Sequence, residues 1–104
     1  MSTFRVALLL AFSLGVSPAW AEQAVVRIEN FTFSPAELTV KPGTTVQWEN
    51  ADDIPHSVVE ADTRFRSQVL DTGEKFSVTF ADAGAISYFC GLHPHMTGKI
   101  IVKP

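Results

Sequence analysis

The stretch Leu38-Thr39-Val40-Lys41-Pro42-Gly43-Thr44-Thr45-Val46-Gln47-Trp48 decides the fold class. Before Pro42-Gly43, Leu38 and Val40 alternate with Thr39 and Lys41. After it, Val46 and Trp48 alternate with Thr45, Gln47 and Glu49. A period of two places alternate side chains on opposite faces of an extended chain, and Pro-Gly is a strong turn signal. The stretch therefore predicts a pair of strands, each with one apolar face. The same pattern recurs in both directions. Val26 and Ile28 precede it; Phe76, Val78 and Phe80 follow, then Ile86, Tyr88 and Cys90, and finally Lys99-Ile100-Ile101-Val102-Lys103 after Gly98. His56 to Glu60 is a further β-rich piece. Strands that bury one face each are satisfied by two sheets packed about 10 Å apart, so the expectation is an all-β sandwich. Ala61 to Thr72 has no clean period and is expected to be an irregular excursion or one short helical turn. No stretch reads as an amphipathic helix.

The first residues follow a different logic. Met1 to Arg5 carries one positive charge, an apolar run follows from Val6 to Val16, and Ala19-Trp20-Ala21 supplies small residues one apart. This order predicts a secretory signal peptide, residues 1–21, cleaved after Ala21. The apolar run is shorter than the roughly 20 residues needed to span a bilayer, and no later run approaches that length, so no membrane span is expected. The expected mature chain, residues 22–104, is 83 residues long and forms a single small domain. Without Arg5 it carries seven Lys and Arg against eleven Asp and Glu, a charge of −4. The excess is scattered, and no basic stripe points to nucleic acid.

One cysteine stands in the whole chain. Small exported domains are often stapled by disulfides, and Cys90 has no internal partner. Around it lies Tyr88-Phe89-Cys90-Gly91-Leu92-His93-Pro94-His95-Met96, with a thiol, two imidazoles and a thioether within seven residues. This segment sits between two predicted strands, where a rigid sandwich would carry a site. Pro55-His56-Ser57 supplies the other histidine of the mature chain. Zinc prefers four strong N, S or O donors, which leaves methionine a poor partner for it. Calcium and magnesium require oxygen ligands that this cluster does not offer. Two imidazoles and a thiolate with a weak axial thioether suit copper in an electron-transfer site. His56, Cys90, His93 and Met96 are thus the expected ligands of one copper ion. His95, next to Met96, is the competing candidate for the axial position.

These residues carry a resemblance to a known family. The Leu38–Trp48 stretch, Pro55-His56-Ser57-Val58, Tyr88-Phe89-Cys90 and Gly98-Lys99-Ile100-Ile101-Val102 resemble the small cupredoxins, the type 1 blue-copper proteins. Amicyanins are the most similar group, with plastocyanins and pseudoazurins close behind. The similarity covers essentially the whole mature chain, and the loop with two residues either side of His93 resembles the amicyanin loop. The resemblance implies a cupredoxin-like Greek-key β-sandwich of about eight strands in two sheets, with copper at one end. It also implies periplasmic electron transfer by a monomer, with a c-type cytochrome or a periplasmic dehydrogenase as partner.

Two departures from the family pattern stand out. Ser57 occupies the place of an asparagine that ties the two ligand loops together; its hydroxyl is expected to do so more weakly. Leu92 occupies the place of a proline, so its backbone N–H is expected to donate to the Cys90 sulfur. His93 is expected to lie at the surface among Pro55, Leu92, Pro94 and Met96 as the exit route for electrons. Trp48 and the phenylalanines are expected to be core.

Other functions compete for the same residues. A copper carrier or copper-resistance protein would use the same ligands but release the ion. An enzyme is not expected, because copper oxidases need a second centre whose histidines are missing, and nothing beside Cys90 and His93 resembles an oxyanion site.

Overall fold

The structure, a computed structural model, describes residues 22–104. The expected signal peptide lies outside the described residues. Eight strands follow in order: β1 (Gln23–Glu29), β2 (Thr32–Ser34), β3 (Glu37–Val40), β4 (Thr44–Asn50), β5 (Val59–Glu60), β6 (Lys75–Phe80), β7 (Gly84–Phe89) and β8 (Thr97–Val102). They form two four-stranded sheets, ordered β2-β1-β4-β6 and β3-β8-β7-β5. The expected two-sheet sandwich is present. None of the described residues forms a helix, so among them there is no helix long and apolar enough to cross a membrane.

Pro42-Gly43 lies in the turn that the sequence predicted, but the two strands it joins do not pair with each other. β3 pairs in parallel with β8, whereas β4 pairs in parallel with β1 and antiparallel with β6. The turn instead carries the chain from one sheet to the other. Gly43 takes φ 93°, a conformation that disfavours a side chain. Its N–H bonds to the Phe80 carbonyl at 2.7 Å, anchoring the crossing on β6. A Pro-Gly signal marks a reversal, but the partner of each strand is chosen by which faces must be covered.

The alternation itself survives. Along β4, Thr44, Val46, Trp48 and Asn50 are buried while the residues between them are half-covered. Trp48 is fully buried at the centre of the sandwich. Its ring lies 5.2 Å from Tyr88, nearly perpendicular, and packs against Phe65, Phe76 and Phe80. Edge-to-face packing of this kind adds to the burial of large apolar surfaces. Burial also pushes the Tyr88 hydroxyl up to about 12.

The segment from Ala61 to Thr72 contains no helical turn. It folds back on β5 and the residues just before it, pairing in isolated bridges, His56 with Leu70 and Val59 with Arg66. Main-chain bonds join Leu70 to His56 in both directions, and the Ser67 N–H bonds to the Val58 carbonyl at 2.8 Å. The pairing is interrupted rather than continuous, which is why no period appears in the sequence.

The turn that starts this excursion is closed by Glu60, which is 1 % exposed. Its carboxylate accepts from the Arg64 N–H at 2.7 Å and from the Arg64 guanidinium at 2.9 Å. The Arg64 guanidinium holds the Glu60 carboxyl below its usual value of 4.5, against the opposing effect of burial. A carboxylate depressed in the fold stabilises fully above its unfolded value, and the contribution is lost as pH falls through the folded value. Denaturation midpoints measured from about pH 7 to about pH 3 should therefore fall for the wild type. Glu60→Gln should be less stable at neutral pH, with the two curves converging in acid.

Candidate metal centre

β7 positions the cysteine. Ile86 and Tyr88 point into the core, and the same alternation turns Cys90, one residue past the strand, fully inward. Three main-chain bonds then fold residues 90–96 into a compact loop. His93 N–H donates to the Cys90 carbonyl at 3.2 Å, Met96 N–H to the His93 carbonyl at 2.8 Å, and Cys90 N–H to the Met96 carbonyl at 3.0 Å. β8 begins at the next residue, Thr97. The loop is thus tied at both ends to neighbouring strands of one sheet.

His56 arrives from the other direction. Its backbone is locked to Leu70, and its side chain is fully buried. The structure brings His56, Cys90 and His93 together, with their donor atoms within 4.8 Å of one another. The Cys90 Sγ lies 3.7 Å from His56 Nδ1 and 3.6 Å from His93 Nδ1. One ion holding a thiolate at about 2.3 Å and imidazoles at about 2.0–2.1 Å, with angles of about 110–120°, needs S···N separations of about 3.6–3.8 Å. The observed separations fit one ion shared by all three donors.

Met96 is buried at the same end of the core, 6 % exposed. His95 is exposed and lies outside the three-donor group. Of the two candidates for the fourth position, the thioether is therefore the one packed inside. A soft thiolate and thioether with two imidazoles is a donor set for copper.

Two features beyond the donors shape the site. Ser57 bridges the two ligand segments: Gly91 N–H donates to its Oγ at 2.9 Å. A side chain at position 91 would collide with that oxygen, its Cβ lying 2.7 Å away. The second feature corrects an expectation. The N–H that reaches the Cys90 sulfur, at 3.3 Å, belongs to Ser57, and among the described residues Leu92 makes no such bond. His93 N–H closes the turn onto the Cys90 carbonyl, leaving Leu92 on the outer bend with its side chain 45 % exposed.

Asp52 and Phe31 were not legible as site residues. The Asp52 Oδ2 lies 2.8 Å from His56 Nε2 and accepts the Phe31 N–H at 3.2 Å. The hydrogen bond to His56 holds the Asp52 carboxyl below its usual value, opposed by partial burial and helped by main-chain N–H groups of Phe31 and Asn30. Asn30 and Phe31 both adopt left-handed backbone, φ 54° and 58°. For a residue like phenylalanine this costs of order 1–3 kcal/mol and persists only where its surroundings enforce it. The Phe31 ring stands edge-on to His93 at 5.1 Å and to His56 at 5.8 Å. It is exposed, unlike the core phenylalanines, and lines a shallow hollow with Leu92, His93, Pro94, His95 and Met96. Pro55, expected beside His93, does not line it.

The chain is similar to known proteins. A family model described as a cupredoxin-like domain matches residues 4–102. Amicyanin of Paracoccus versutus is 30 % identical over 122 residues, spanning 94 % of this chain and 92 % of that protein. Among solved structures, a purple cupredoxin from Nitrosopumilus maritimus is 32 % identical with a TM-score of 0.73, covering 77 % of this chain and 99 % of that one. An amicyanin mutant in its oxidized state is also 32 % identical, with a TM-score of 0.74, covering 84 % of this chain and 86 % of that one.

Ser57→Ala should lower stability by about 1 kcal/mol, the usual net worth of one internal hydrogen bond. Urea denaturation of the metal-free protein checks this, with the exposed Ser77→Ala as the variant expected to stay within error of wild type.

Proposed function

The chain belongs to the cupredoxin-like family, and from that premise we propose that it is a single-electron carrier. One copper ion would be held by His56 Nδ1, Cys90 Sγ, His93 Nδ1 and the Met96 thioether, the first three of which the structure groups within 4.8 Å. The observation that carries this reading is the triangle of one sulfur and two Nδ1 atoms, with both S···N separations at 3.6–3.7 Å. Bound copper supplies one-electron chemistry by alternating between Cu(II) and Cu(I).

The protein's own residues do the rest. His56 and Cys90 are fully buried, so water is kept from two of the donors. The loop of residues 90–96 is fixed by its main-chain bonds, and His56 by its pairing with Leu70. Donors fixed in this way need little rearrangement when the charge at the centre changes by one. His93 is the ligand that is only half-buried, and it sits in the apolar hollow formed by Phe31, Leu92, Pro94 and Met96. A small apolar surface around one ligand edge suits brief docking, as electron-transfer complexes lie at the small end of interface sizes.

We further propose that the protein acts as a monomer in the periplasm, after loss of residues 1–21. Its partner would be a c-type cytochrome or a periplasmic dehydrogenase, by analogy with the amicyanins it resembles. The complete burial of His56 argues for retention of the ion over its delivery to another protein.

Adding Cu(II) to purified metal-free protein should produce an intense blue or violet band from thiolate-to-copper charge transfer, with one copper bound per chain. Cys90→Ser should abolish the band. A colourless wild type would overturn the copper assignment. Rapid loss of Cu(I) to a chelator during redox cycling would favour a carrier instead.

A further inference from the structure

We infer that Asp52 and the Asn30–Phe31 turn act together as a positioning device for His56, fixing its tautomer and biasing the bound metal towards Cu(II). The inference rests on the copper reading above and adds to it residues that ligate nothing.

One carboxylate oxygen serves two donors. Asp52 Oδ2 accepts from His56 Nε2 at 2.8 Å and from the Phe31 N–H at 3.2 Å. An ionised carboxylate only accepts, so the proton of a neutral His56 must lie on Nε2. That leaves the Nδ1 lone pair, which faces the Cys90 sulfur, free to bind the metal. The other tautomer would place an N–H towards the metal and two acceptors face to face at Asp52.

The main chain of Asp52 is clamped independently. Its N–H donates to Asn50 Oδ1 at 2.9 Å, and its carbonyl accepts from Thr72 Oγ1 at 2.6 Å. Asn50 is itself fully buried and bonds to the carbonyls of Ile54 and Leu70. Only the side chain of Asp52 is left to choose a direction. The Phe31 N–H makes that choice, and it points at the carboxylate because the backbone is left-handed at residues 30 and 31. An unfavourable conformation at an exposed phenylalanine thereby acquires a role.

The charge has an electrostatic consequence. Asp52 has only 12 % of its side chain exposed, and among the described residues no lysine or arginine pairs with it. Its negative charge is therefore directed through the His56 ring towards the metal. A nearby anion stabilises the divalent state more than the monovalent one, which lowers the reduction potential.

The test is spectroelectrochemistry of the copper-loaded protein, following the thiolate-to-copper band. Asp52→Asn keeps an acceptor for both N–H groups but removes the charge. At a fixed electrode potential its Cu(II)-to-Cu(I) ratio should fall about tenfold, a rise of 59 mV for a one-electron couple. Asp52→Glu keeps the charge and should remain within about twofold of wild type. Phe31→Gly tolerates the left-handed turn but loosens it, and its effect on the potential should be much smaller in the Asp52→Asn background than in wild type. The altered solvation caused by losing the ring is common to both backgrounds and cancels in that cycle. An unchanged or lowered potential in Asp52→Asn overturns the inference, as does strict additivity with Phe31→Gly. A failure of the copper reading would appear earlier and differently, as a wild type that takes no colour.

Discussion

Cys90 is held by two hydrogen bonds, one from its own main-chain N–H and one to its sulfur, and the site depends on both. Its own N–H bonds to the Met96 carbonyl, which folds the ligand loop back onto itself. Its sulfur receives the N–H of Ser57, from a segment 33 residues earlier in the chain. Thiolates buried in an apolar core are costly unless they find donors or a metal. Here the core places the sulfur, one backbone amide meets it, and two imidazole nitrogens face it at near-equal distances. The Ser57 hydroxyl completes the join by accepting the Gly91 N–H, so the His56 and Cys90 segments cannot drift apart without breaking two bonds at once.

The sandwich beneath is what keeps these segments at one end. Trp48 fills the middle of the core and is ringed by Phe65, Phe76, Phe80 and Tyr88. Interiors packed with large rings transmit displacement rather than absorbing it. Strand β7 therefore delivers Cys90 to a defined height, and β8 fixes where the loop must end. The irregular run after β5 contributes from the side, since its Leu70 supplies both main-chain bonds that lock His56. A segment without secondary-structure signal in the sequence thus holds one of the donors. For a centre whose charge changes by one unit, a scaffold of this stiffness restricts how far the donors can move.

Around the donors lies a second layer in which polarity is graded. On its Nε2 side, His56 meets the partly buried carboxylate of Asp52. Towards solvent, His93 meets the exposed rings and side chains of Phe31, Leu92 and Pro94. Phe31 belongs to both sides, because its N–H bonds to Asp52 while its ring covers the two imidazoles. The site is thereby asymmetric, with one ligand tied to a charge and the other open to a visiting surface.

The sequence by itself determined the strand periodicity, the single-cysteine site and the donor chemistry. Alternation such as Val46-Gln47-Trp48 is a local property, and it placed the correct side chains in the core. The spacing of Cys90, His93 and Met96 is likewise local, short enough for one loop to bring all three to one place. The tie through Ser57 was implied by the family resemblance, in which an asparagine at that place joins the two ligand loops. Tertiary structure alone decided which strands pair, since the Pro42-Gly43 turn crosses between sheets and a turn signal does not name the partner of either strand. Packing buries Met96, the residue the spacing favoured, and leaves its neighbour His95 exposed. It gave the sulfur its amide from Ser57 rather than Leu92. It also brought Asp52 and Phe31 to His56, contacts that no periodicity encodes. The division has a physical cause: patterns along a chain report what each residue prefers locally, while partners distant in sequence are selected only when the faces close.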